Sequence, residues 1–146
     1  MGFSKIWVHG EASDGAVASI TLELLAKARE LADTVEVVVA GDADSVAAEL
    51  GDHGASVVYS IGPLDGGLAG PRIASAIAEA CSQGSGPDVM LCGTTYDGRD
   101  VAGRLSAKLD TPVITNVIDL KQDGDRLLGH EPVFWWDQRR FYRNYI

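Results

Sequence analysis

The residues of this chain whose types and spacing could support chemistry lie together between Gly93 and Asp100, within PDVMLCGTTYDGRDVAGRLSAKL (Pro87 to Leu109). Gly93, Thr94, Thr95 and Gly98 are small or hydroxylic, Arg99 is a cation, and Asp97 and Asp100 are carboxylates. The uncharged apolar run Val89, Met90, Leu91, Cys92 precedes them, and Val101, Leu105 and Leu109 follow at helical spacing. The joint therefore links the carboxyl end of a strand to the amino end of a helix, where open α/β sheets hold their ligands. Free N–H groups at a helix start, approached over small residues, suit a phosphate. Asp100, read as the N-cap, would satisfy those donors internally instead. Asp97 adds a second negative charge, and Arg104 is spaced to pair with Asp100. These residues favour a capped, ion-paired turn over a nucleotide site. In the nucleotide alternative, His9 at the end of the first strand and Gly41 at the end of the second complete the crevice.

Other chemistry finds less support. No Ser occupies a Gly-x-Ser-x-Gly elbow, and His9, His53 and His130 are too scattered for a metal set. The HGEASDG that follows the first strand lacks a dinucleotide fingerprint, and GPLDGGLAG (62–70) has no P-loop lysine and reads as a connector. Neither a catalytic nor a metal-ligating residue is assigned, and a non-enzymatic protein is expected. Cys81 and Cys92 fall within apolar patterns and read as reduced core thiols.

The elements that must position the joint follow from periodicity. Strands are expected at Ile6–Val8, Val35–Ala40, Ser56–Ile61, Val89–Cys92 and Val113–Val117. Between them fall helices: one on the stripe Ile20, Leu24, Ala28, Leu31, widened by Leu25; a short one at Ser45–Leu50; one opening at Pro71 with Ile73, Ile77 and Cys81; and one opening at Asp100. Glu23 and Lys27 are spaced for a surface ion pair. Asp123-Gly124 then marks a hairpin. The expected fold is α/β, a doubly wound, Rossmann-like parallel sheet of the adenine-nucleotide-binding type with an antiparallel C-terminal hairpin extension.

At 146 residues, 46% hydrophobic and 23% charged, the chain has the size and balance of one globular domain. Its net charge of -9 argues against nucleic acid or an anionic membrane surface. No apolar run approaches bilayer length and the start is too short for a secretory signal, so a cytoplasmic location without membrane insertion is expected.

Gly93 to Leu109 (GTTYDGRDVAGRLSAKL) resembles the signature near the end of the amino-terminal domain of electron transfer flavoprotein alpha subunits, and Thr21 to Asp33 (TLELLAKARELAD) resembles that family's first helix. The resemblance covers about residues 5 to 134. It implies a heterodimer with a beta-like subunit, FAD carried by the assembled complex rather than by this chain alone, dehydrogenase and acceptor partners, and a flavin-binding domain that either a partner supplies or a longer protein, of which this is a fragment, carries. It also implies that the crevice of His9, Gly41, Gly93, Thr94, Thr95, Gly98, Arg99 and Asp100 is a vestigial nucleotide site. Two departures stand out: His9-Gly10-Glu11 where the family's first strand commonly ends in Glu-His, and Trp135-Trp136 where Gly-Gly is usual.

The domain is expected over residues 1–133, and residues 134–146 form a tail rich in aromatics and arginine. Trp135, Trp136, Arg139, Arg140, Phe141 and Tyr142 have the composition of an interface core. An edge strand whose aromatics fold back on its own sheet stands open beside that reading. Two functions of other classes also stand open: a small AMP or ATP sensor, and a self-associating structural domain.

Overall fold

The computed structural model describes residues 2–131 and 140–141, the last two as backbone. In chain order the elements are β1 (Phe3–Gly10), β2 (Ala12–Ser13), β3 (Ala16–Val17), α1 (Ser19–Leu31), β4 (Ala32–Val39), α2 (Ala47–Asp52), β5 (Val57–Ser60), α3 (Ala69–Ser82), β6 (Val89–Leu91), α4 (Tyr96–Leu109), β7 (Asp119–Asp123), β8 (Arg126–His130) and β9 (Arg140–Phe141). Four of the strands form a parallel sheet in the order β5-β4-β1-β6. The chain winds outward from β1 through β4 to β5, then returns to place β6 on the other side of β1. That reversal opens a crevice at the carboxyl ends of β1 and β6, which is why the joint after Gly93 is the natural site of this fold.

Side-chain alternation along the strands builds two cores. Ile6, Val8, Val35, Val37, Val39, Val89 and Leu91 pack beneath α1 and α2 with Leu25, Ala28 and Leu50. Trp7, Val38 and Met90 face the other way, against Ile73 and Ile77 of α3 and Val101 and Leu105 of α4. Continuous apolar runs such as VEVVV are thus divided between two faces, the doubly wound arrangement expected.

The structure corrects four local expectations. Val113–Val117 forms no strand: Asn116 has φ +55°, a left-handed conformation that breaks extended pairing, and Pro112 before it has no N–H to give a ladder. Lys27 does not pair with Glu23; its ammonium lies 2.6 Å from Glu30 and 3.1 Å from Asp119, tying α1 to β7. These bonds raise the Lys27 pKa and lower that of Asp119. On α1 the fully buried stripe is Thr21, Leu25, Ala28 and Leu31, while Ile20 and Leu24 are half-buried at its flank. Finally, the loop after His9-Gly10 contains a hairpin. Asp14 and Gly15 both take positive φ, 54° and 79°, which is the type I′ turn that suits a two-residue connection.

The β7–β8 hairpin turns at Gly124, φ +63°, and β9 adds to it through Leu128↔Phe141 and Gly129↔Arg140. The interface expectation for Trp135, Trp136, Arg139 and Tyr142 lies outside the described residues, and for Arg140 and Phe141 only the backbone strand is described.

Candidate functional site

Helix α4 begins four residues before Asp100, which corrects the reading of that carboxylate as its cap. Thr95 is the N-cap: its backbone is extended (φ -74°, ψ 170°) and its hydroxyl accepts from the Gly98 N–H at 2.9 Å. Asp97 sits in the first turn, where a carboxylate complements the helix dipole. Asp100 lies a turn further in and accepts from Arg104 Nε at 2.8 and 2.9 Å. Its carboxylate rests against Gly70 of α3, where an added Cβ would overlap it. Asp100 is therefore a contact between two helices. The signal for the true start was Thr95 three residues before Gly98, with Asp97 between them; apolar spacing began only at Val101 and pointed too late.

Glu11 is the residue at the centre of the joint, and sequence reasoning noted it only as part of a departure. Its Oε1 accepts from the Thr95 hydroxyl at 2.7 Å, linking the end of β1 to the start of α4. Its backbone is anchored independently: the N–H donates to Thr21 Oγ1 at 2.8 Å, and the carbonyl accepts from Ala18 N at 2.9 Å and from Thr21 Oγ1 at 3.2 Å. A Cβ on Gly93 would lie 3.2 Å from Glu11 Oε1 and 2.9 Å from Ile20 Cγ1, so glycine there leaves room for the carboxylate. The available signal was a charged residue immediately after a buried strand.

His9 is 2% exposed, and its Nδ1 lies 3.7 Å from Glu11 Oε1 with no hydrogen-bond partner among the described residues. Burial pushes its pKa below the ordinary 6.5, while the Glu11 and Asp97 carboxylates pull the other way. A His held neutral by folding contributes stability that is full above 6.5 and is lost as pH falls from there toward the lower folded value. Urea midpoints of the wild type should therefore fall across that window, and those of His9→Gln should fall less. Equal slopes would show that His9 is not a source of the acid sensitivity.

Thr94, Gly93, Gly98 and Arg99 line a cleft of about 680 Å³ that runs from α1 to α4, with Ile20, Leu24 and Leu127 in its walls. The segment 113–118 closes its far side, and Ile118 is 72% exposed. Gly41 belongs to a neighbouring joint, where it takes φ +79° and bridges to Gly62. The structure thus brings His9, Gly93, Thr95 and Gly98 together around Glu11, leaves Thr94 and Arg99 on the cleft, and sets Gly41 against Gly62 and Asp100 against Gly70. Burial and the nearby Glu11 push the Cys92 thiol up to about 12, so it is protonated at neutral pH and unreactive. Among the described residues no group of three or more His, Cys, Asp or Glu could hold a metal.

Residues 6–135 match the electron transfer flavoprotein domain family. The chain belongs to that family. Among its relatives, the electron transfer flavoprotein subunit alpha of Thermoanaerobacterium thermosaccharolyticum is 30% identical over 132 residues, covering 86% of this chain and 40% of the relative. The subunit alpha of Bacillus subtilis is 26% identical over 140 residues, 89% of this chain and 41% of the relative. Protein FixB of Azorhizobium caulinodans is 29% identical over 142 residues, 90% of this chain and 38% of the relative. The chain spans about two-fifths of the length of these relatives. As an electron transfer flavoprotein domain it has the fold of a nucleotide binder, but the joint does not fit the pyrophosphate of FAD. Glu11 already engages the hydroxyl that caps α4, and Asp97 adds a second negative charge beside it.

Proposed function

We propose that this chain is the alpha-type N-terminal domain of an electron transfer flavoprotein, a scaffold and docking surface that assembles with a beta-like subunit for FAD-mediated electron transfer. It acts as part of an electron carrier in the cytoplasm, without catalytic residues of its own. FAD belongs to the assembled complex, and the dehydrogenase and acceptor meet that complex. Residues 1–133 form the domain, and the tail of 134–146 supplies contact through Trp135, Trp136, Arg139, Arg140, Phe141 and Tyr142. The family match over residues 6–135 carries this reading. Two further observations support it: no described helix is long and apolar enough to cross a membrane, and the hydroxyl that caps α4 is engaged by the chain's own carboxylate. The test is co-purification from the chain's own cells: a beta-like subunit isolated with it supports the reading, and a chain isolated alone with bound AMP overturns it.

A further inference from the structure

We propose that the joint of β1, β6 and α4 is a carboxylate-binding site whose resident ligand in the folded chain is the side chain of Glu11. Groups from three separate elements surround one oxygen, Glu11 Oε1, and one of them hydrogen-bonds it. From the start of α4 the Thr95 hydroxyl donates to it at 2.7 Å. From β1 the buried Nδ1 of His9 lies 3.7 Å away, with no hydrogen-bond partner among the described residues. From the end of β6 Gly93 leaves open the volume that a Cβ would fill. Buried polar atoms almost always have partners, and with its proton on Nδ1 the neutral ring faces the cap hydroxyl's acceptor as a second donor.

Glu11 reaches this place from a backbone that is held without its side chain, through the Glu11–Thr21 and Glu11–Ala18 bonds. Truncating the side chain therefore removes the ligand and leaves the site. The replacement must carry one negative charge and two small oxygens. Asp97, in the first turn of the helix that Thr95 caps, adds a negative charge there, so a dianion such as phosphate would meet more repulsion than a monocarboxylate. This inference concerns the joint alone and does not rest on the electron-transfer reading.

The test is chemical rescue of Glu11→Ala by acetate, with sodium chloride at matched ionic strength as the reference and the wild type run alongside. Glu11→Ala should lose stability in chloride and regain it in acetate, its unfolding constant falling about tenfold for each tenfold rise in acetate above the dissociation constant. The wild type, whose site is filled, should show no such response. Adding Thr95→Val to Glu11→Ala should abolish the rescue, because the donating hydroxyl is gone. Should Glu11→Ala be unfolded in chloride, refolding on addition of acetate is the same readout. An acetate response no larger than that of the wild type, or none whether the variant is folded or unfolded, overturns the proposal. An equal response to phosphate overturns its selectivity for a carboxylate.

Discussion

Replacing Trp7 with alanine should cost the domain about 3–5 kcal/mol, the range for removing a buried indole. Trp7 is 5% exposed at the centre of the core between the sheet and helices α3 and α4. Its Nε1–H donates to Glu36 Oε2 at 2.5 Å across the β1–β4 pairing, where the two residues are register partners. The same oxygen accepts from the Tyr59 hydroxyl at 3.1 Å, and Lys5 Nζ lies 3.8 Å from Oε1. The rings of Trp7 and Tyr59 stand 5.0 Å apart. Glu36 is only 6% exposed, so alanine at position 7 both opens a cavity and takes a donor from a buried carboxylate. Losing such a donor costs about 1–3 kcal/mol. Trp7→Phe keeps most of the packing and should show chiefly that second loss. Urea denaturation of the two variants separates the contributions; a Trp7→Ala midpoint close to that of the wild type would mean that the Glu36 cluster does not hold the sheet together.

Gly98→Ala should reverse the usual effect of its exchange. In a helix interior alanine is favoured over glycine by about 1 kcal/mol. At Gly98 an added Cβ would overlap the carbonyl oxygen of Gly93 and lie 3.0 Å from its carbon and 3.1 Å from its nitrogen. All three are backbone atoms at the end of β6, so relief requires α4 to move off the strand. Overpacking of this kind costs about 1–3 kcal/mol, and the displacement also disturbs the Thr95 cap on the Gly98 N–H. Gly103→Ala, in the same helix, is the control: no atom lies within 4 Å of its added Cβ, and it should be neutral or stabilising. Opposite signs in thermal melts of the two variants are the expected result. If Gly98→Ala is as stable as Gly103→Ala, the strand and helix are not in the close contact that shapes the joint.

What could be read from the sequence, and what could not, divides along physical lines. Apolar periodicity reports burial, so Ile6–Val8, Val35–Ala40 and Val89–Cys92 announced themselves as covered strands, and Ile73, Ile77, Val101 and Leu105 as the faces that cover them. The first turn of α4 was missed because it is held by polar capping, and Gly98 is buried there by virtue of lacking a side chain. Val113–Val117 is apolar enough for a strand, but the left-handed Asn116 is a backbone property that hydrophobicity does not carry. Lys27 chose Asp119, far along the chain, over the local Glu23 because the hairpin folds back onto α1. The passage from strand to helix after Gly93 was legible in the pattern. The central residue of the joint was not, since Glu11 comes from a different strand, and only the parallel pairing of β1 with β6 brings it to Thr95. The Asp14-Gly15 hairpin was legible in principle, by the same dipeptide that marked Asp123-Gly124.

As proposed, this domain works as a scaffold within a flavin complex, with Glu11 tied to the Thr95 cap of α4. The most direct measurement is a native mass spectrum, with the visible absorption spectrum, of the protein purified from its own cells together with whatever accompanies it. The account predicts a yellow complex that contains a second polypeptide and a mass matching FAD, with the flavin lost from this chain once the complex is taken apart. A colourless chain that carries an adenine nucleotide on its own would contradict it.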